Sequence, residues 1–191
     1  QRIGRSFTNA PVNLLQRTDD LQPDFSVELT GGRSFETSWG SLGFVAVGGF
    51  DNSWQTRRGR QQEGIVENGA IVPRTDYDFT STQNDAVLNG LLGFGAEWGD
   101  HRLGWTNTYI HMTTKEARTR AGNDEGAGAI VRDDFTEWFE RELFGSQLTG
   151  THTFGALTID WRGSYATTSR SSPYEKGIRY RLVDDAWLHN A

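Results

Sequence analysis

The side chains through which this chain could do chemistry are its four histidines, its 25 acidic residues and one tight group of arginines. His101, His111, His152 and His189 are scattered, and none falls in the HExxH spacing that sets two imidazoles on one helical face for zinc. No GxSxG elbow presents a nucleophilic serine. Asp51, Glu97 and Asp160 could supply a carboxylate pair, but their wide separation makes lining or interfacial placement the better account. His101, beside a Gly-Asp turn, reads as a solvent-exposed side chain. The expectation is a protein that is not an enzyme, with no catalytic residue, cofactor or metal centre assigned.

Three groups have ligand-binding chemistry. Asn123-Asp124-Glu125 and Asp133-Asp134 bracket the stretch AGNDEGAGA, and Asp76, Asp78 and Asp85 frame a nearby segment. Hard cations take oxygen ligands from such residues, although the spacing is not that of an EF-hand and Asp, Asn and Gly are ordinary turn formers. Arg57, Arg58 and Arg60 could meet the phosphates of lipopolysaccharide or an anionic ligand, or else serve solubility and pair with Glu63. Trp54, Tyr77 and Trp138 could capture a ligand or simply pack in an aromatic girdle.

The elements that must position these groups are strands. Leu88, Gly90, Leu92, Phe94, Ala96 and Trp98 alternate with other residues, then follow Gly99-Asp100 and the alternation Leu103, Trp105, Asn107, Tyr109. Such period-2 patterning marks strands with one apolar face. Six long strands are expected: 24–31, 41–58, 79–98, 102–120, 134–154 and 157–170. The face opposite the apolar one is less clean in the second strand, where Val45 and Val47 lie. Gly99-Asp100 and Gly155-Ala156 form tight reversals, with 32–40 a longer one. Residues 61–78, 121–133 and those beyond 171 are polar and read as long loops. A helix over 137–148 is the weaker choice, given Gly145 and the threonines that follow.

Composition narrows the class. The 191 residues include 23 Gly, 4 Pro and no Cys, and the net charge is −6. No cysteine means no disulfide framework and no thiolate metal site. An acidic chain without a basic groove argues against nucleic acid as a partner. No run of about 18 apolar residues provides a spanning helix, which says nothing against spanning strands.

Short turns at one end and long loops at the other are the asymmetry of outer-membrane barrels, with periplasmic turns and extracellular loops. The fold expected is all-β: an antiparallel transmembrane β-barrel segment. Thr106, Thr108, Gln147, Thr149, Asp160 and Arg162 are the lumen-facing candidates. Trp98, Phe154 and Trp161 are candidates for a membrane girdle at the short-turn end, and Phe50, Trp54 and Tyr109 for one at the other. The same alternation also suits a soluble all-β binding module with one wet face, and a porin-like outer-membrane protein.

Four segments carry a family resemblance: GFVAVGGFDNSWQTRRGRQQ (43–62), DYDFTSTQNDAVLNGLLGFGAEWGDHRLGWTNTYIHMTTKEARTRAG (76–122), WFERELFGSQLTGTHTFGALTIDWRGSYATTSRSSP (138–173) and KGIRYR (176–181). In style and order they resemble the barrel of the TonB-dependent outer-membrane receptors, over about two-thirds of the chain. The resemblance implies a barrel of twenty-two strands around an N-terminal plug in the cell outer membrane. It also implies outer-membrane lipids as surroundings, TonB as a partner acting through the plug, and a small nutrient ligand: siderophore-chelated iron, haem, cobalamin or an oligosaccharide. No plug, energy-coupling box or aromatic-terminated last strand is present, since the chain ends LHNA. Residues 1–191 are therefore expected to be part of a larger barrel domain. Residues 1–21 would form an extracellular loop before a descending first strand, with a rising strand before them.

Overall fold

Seven antiparallel strands follow one another in both sequence and space in a computed structural model, which describes Leu15 and residues 21–189. They are β1 (Phe25–Thr37), β2 (Gly40–Glu67), β3 (Ala70–Trp98), β4 (His101–Asp124), β5 (Ala129–Phe154), β6 (Leu157–Val183) and β7 (Ala186–His189). All-β architecture in one antiparallel sheet thus holds, with a short seventh strand beyond the six expected. The order β1-β2-β3-β4-β5-β6-β7 leaves the sheet open. The expected loop over 1–21 lies outside the described residues, apart from Leu15 and Leu21, neither of which is in a strand.

The long loops expected over 61–78, 121–133 and beyond 171 are not loops but the outer halves of strands. The turns that end them are brief. Asn68 and Gly69 take φ of 49° and 81°, and Asp184 and Asp185 take 48° and 62°. Two successive positive φ values let a two-residue turn follow the right-handed twist of its strands, and Asn-Gly is the commonest pair to do so. The third outer turn spans only 125–128, where the amides of Ala127 and Gly128 donate to the carbonyls of Asp124 and Glu125 at 3.2 and 3.0 Å.

The opposite rim turns at 38–39, 99–100 and 155–156, so the expected longer turn over 32–40 is also a tight one. Polarity misled here because cross-strand polar pairs stabilise a two-faced ribbon as well as apolar ones do. Arg60 grips Asp76, Tyr77 donates to Asp124 at 2.9 Å, and Arg179 donates to Asp133 at 2.6 Å.

Residues 137–148 belong to β5, and no helix occurs among the described residues. The two register irregularities lie beside Pro73 and Pro173, opposite Glu63/Gly64 and Trp138/Glu140. Proline has no N–H for the ladder, so pairing slips there and then resumes.

At about 3.4 Å per residue, the 29 residues of β3 extend for roughly 95 Å. Cohesion along that length comes from ladder pairing and side-chain layers, with few buried apolar groups. Tyr77 and Val131, at 3% and 1% exposed, are the buried apolar side chains among the described residues. Gly122 lies opposite Tyr77 where β3 and β4 approach closely, and a Cβ there would overlap the backbone of Asp76 and Tyr77. Because backbone cannot step aside as a side chain can, Gly122→Ala is expected to cost about 1–3 kcal/mol. Amide exchange should then accelerate in residues 75–79 and 118–124, and unchanged protection there would refute the close-approach argument.

Candidate functional site

The site is a surface, and it follows from the register. On one face, Phe35, Leu42, Ala96, Leu103, Gly150 and Trp161 form a row across six strands. The next row on that face holds Arg33, Phe44, Phe94, Trp105, Leu148 and Gly163. Val27, Leu29, Phe50, Leu88, Leu92, Tyr109, Phe144, Ile159 and Tyr165 complete an apolar band.

The band is exposed. Leu29 is 74% exposed, Tyr165 65% and Phe154 59%. It covers residues 144–154 of β5 and 157–165 of β6, comparable with the roughly 9–11 residues a tilted strand needs to cross hydrocarbon. Its upper border slants: Phe50 and Leu88 stand higher on their strands than the row of Leu92, Asn107, Ser146 and Tyr165. Phe35, Leu42, Phe44, Phe94, Leu103 and Trp105 line an open apolar depression of about 410 Å³ within the band.

Thr106, Thr108, Gln147, Thr149, Asp160 and Arg162 all lie on the other face. Thr106 is opposite Gln147 and Thr149 opposite Arg162, while the Thr151 hydroxyl donates to Asp160 at 2.7 Å. This face also carries Val45, Val47, Val87, Leu91, Ile110 and Leu143, so it is mixed and not uniformly polar.

The six aromatic candidates share the banded face. Trp98, Phe154 and Trp161 gather around His101 and His152, with ring centroids 5.1–6.3 Å apart. Trp39, in the turn before β2, joins them at 6.5 Å from Trp98. Sequence reasoning passed over Trp39, which the structure sets in a two-residue turn. His101 is half-buried in this cluster, which corrects its expected solvent exposure: the cross-strand partner brings a second ring against it. Phe50 packs on Phe25 at 5.6 Å, and Tyr109 donates to Glu142 at 3.4 Å. Trp54 lies midway along β2, where its backbone N–H donates to Asp24 at 2.7 Å.

Above the band, the second face carries a polar network at the ribbon tips. Asp133 is held by Arg179 (2.6 Å) and Arg120 (3.0 Å). Asp124 accepts from the Tyr77 hydroxyl (2.9 Å), and Arg179 also reaches it at 3.3 Å. The Arg120 guanidinium lies 4.6 Å above the Tyr77 ring, and Arg181 donates to the carbonyl of Ala127. Tyr77, Asp124 and Asp133 therefore meet, but around arginines that already balance their charge. Asp76 bonds Arg60, and Asp85 accepts from Thr114, so neither joins them. Among the described residues no group of three acidic or histidine side chains is placed to hold a metal.

The other sequence-level groupings also separate. Arg57 faces the opposite side from Arg58 and Arg60, and it bonds Gln55 at 3.0 Å. Arg60 takes Asp76 in place of Glu63. Trp54 and Trp138 share the banded face, with Lys115 4.6 Å from the Trp138 ring, whereas Tyr77 is on the other. Glu97 pairs with Arg102 at 2.7 Å and lies three strands from Asp160 in the same cross-strand row, while Asp51 sits higher, opposite Val87.

Burial works against the charges of Asp124 and Asp133, but the hydrogen bonds they accept outweigh it. Those from Tyr77 and the Ala127 amide hold the Asp124 carboxyl below the usual range, and those from Arg179 and Arg120 do the same for Asp133. Burial and the neighbouring Asp124 push the Tyr77 phenol up. A carboxyl that titrates lower folded than unfolded stabilises fully above its unfolded pKa, near 4, and loses that contribution as pH falls through the folded value. Proteolytic resistance of residues 118–135 is thus expected to be constant from about pH 5 to 8 and to decline below about pH 4. Asp133→Asn should flatten that decline, and an unchanged acid profile would contradict the network's role. Neither a protein-family model nor a curated protein matches the chain.

Proposed function

We propose that this chain is part of the wall of an outer-membrane β-barrel of the TonB-dependent receptor type, taking part in uptake of a scarce nutrient. The observation that carries the reading is the register, which gathers most of the large apolar side chains of that stretch into one exposed band. A contiguous exposed apolar surface of this extent in a soluble monomer marks an interaction site. A slanting band of spanning height flanked by aromatic residues is the surface a barrel turns to lipid.

The edges support the same reading. Among the described residues, β1 has no partner beyond β2, and residues 157–179 of β6 pair on one side alone. In hydrocarbon each unpaired N–H or C=O costs several kcal/mol, so a spanning sheet must close on itself. Seven strands with β7 only four residues long fall short of the roughly eight at which such barrels begin. Further strands would therefore complete this wall.

In this reading Thr106, Thr108, Gln147, Thr149, Asp160 and Arg162 line the lumen. The ribbon tips, braced by Tyr77 and Arg179, stand above the membrane on the ligand side. The work is binding and gating. A plug moved through TonB would open the path, and the wall supplies shape and polarity to it.

The test is detergent dependence. The purified chain should aggregate in buffer and recover a β spectrum in detergent or lipid vesicles. A chain that stays monomeric and unfolds cooperatively without detergent is a soluble β module, and the reading fails. A plug domain and coupling box in the parent gene product would separate an active receptor from a porin-like wall.

A further inference from the structure

We propose that His101 and His152 form a two-imidazole site for a divalent transition-metal ion of the zinc, copper and nickel class. The two residues are direct cross-strand partners on β4 and β5, and their Nδ1 atoms stand 3.3 Å apart. Two nitrogens bound to one tetrahedral ion at about 2.0–2.1 Å each are themselves about 3.3 Å apart. The backbone register has therefore set the donor spacing before any ion arrives, and imidazole is the ligand these ions share.

The surroundings favour a fixed pair over two free side chains. Trp98 flanks His101 at 5.6 Å, Phe154 lies 5.1 Å from it, and Trp161 lies 6.3 Å from His152. Both histidines are half-buried, so each loses little further rotamer freedom on binding. The nearby charged groups leave the donors open. Glu97 is engaged by Arg102, and Asp160 by Thr151, both on the opposite face, while Asp100 lies in the turn.

Without an ion, one Nδ1 donates its hydrogen to the other. With an ion, that proton moves to the ring's own Nε2, both Nδ1 lone pairs face the metal, and no proton is lost overall. No third histidine or acidic side chain completes the set among the described residues, so water fills the remaining positions. Affinity is accordingly well below that of a four-ligand structural site. The ion would clamp β4 to β5 at the short-turn rim, and this inference stands on the register independently of the wall reading.

Zinc alone and copper alone, titrated into the full chain in whichever of buffer or detergent keeps it folded, test it. Expected are one ion per chain, a copper spectrum with two nitrogen donors, and zinc-induced shifts in the ring resonances of His101 and His152 alone. His101→Gln or His152→Gln should each weaken binding at least about tenfold, whereas His111→Gln and His189→Gln should leave it within about twofold. Equal shifts at all four histidines, wild-type affinity in the double variant, or no saturation below about 1 mM would overturn the proposal. The resonance measurement uses the unsubstituted chain, so a variant that fails to fold does not decide the matter.

Discussion

Leu92→Arg is expected to destabilise the lipid-inserted chain by about 2–4 kcal/mol, the cost of a cationic side chain near the middle of a barrel's lipid face. Leu92 lies midway along the banded stretch of β3, is 50% exposed, and pairs with Ala46 and Asn107 on the same face. The control is one residue out of phase. Thr106 pairs with Gly93 and Gln147 on the opposite face at almost the same height, and Thr106→Arg is expected to cost less than about 1 kcal/mol. The comparison removes general effects of adding an arginine to this sheet, because height, strand environment and charge are matched. Denaturant unfolding from lipid vesicles measures both. Equal costs would mean that the two faces see the same solvent, and the wall reading would fail. A large cost at Thr106 and none at Leu92 would invert the assignment of lumen and lipid.

Tyr77→Ala is expected to cost about 3–5 kcal/mol, in the range of large aromatic truncations at buried sites. Its ring is 3% exposed beneath the Arg120 guanidinium, and its hydroxyl supplies one of the hydrogen bonds to Asp124. Truncation removes the ring that Arg120 covers and leaves the half-sheltered Asp124 with fewer donors. Tyr77→Phe retains the ring and loses one hydrogen bond to a charged group, expected at about 1.5–3 kcal/mol. The effect should be local: amides in the outer halves of β3, β4 and β5 exchange faster, while those in the band keep their protection. Uniform loss of protection along β3 would show instead that ribbon and band unfold as one unit.

Legibility in the sequence was uneven, for physical reasons that particular residues make plain. The segments around Leu88–Trp98 and Leu103–Tyr109 announced themselves, because a strand with one apolar face must alternate and any one-residue slip reverses it. The outer halves did not. Residues 61–78 carry Gln, Glu and Asp at both ends, and their apolar residues come in adjacent pairs (Ile65-Val66, Ile71-Val72), so no single apolar face alternates there for hydrophobicity to register. Asn68-Gly69, flanked by Ile65, Val66, Ile71 and Val72, was the overlooked signal. Asp184-Asp185 carried the same information in weaker form.

Candidate groupings failed wherever they relied on nearness in sequence. Arg57 and Arg58 are adjacent and therefore point to opposite faces of a strand. Arg179 is 46 residues from Asp133 yet bonds it at 2.6 Å, since pairing of β5 with β6 folds that distance back on itself. His101 and His152, 51 residues apart, meet for the same reason.

By itself, then, the sequence determined the inner halves of the six long strands, their faces and two of the three turns at one rim, because the period-2 geometry of an extended chain is a local property. Which residues become neighbours was decided by tertiary structure alone. Cross-strand register depends on turn length and on where each strand stops, and those set every pair from Tyr77–Asp124 to His101–His152. Period sorts side chains to two faces. Register then chooses each one's partner on its face.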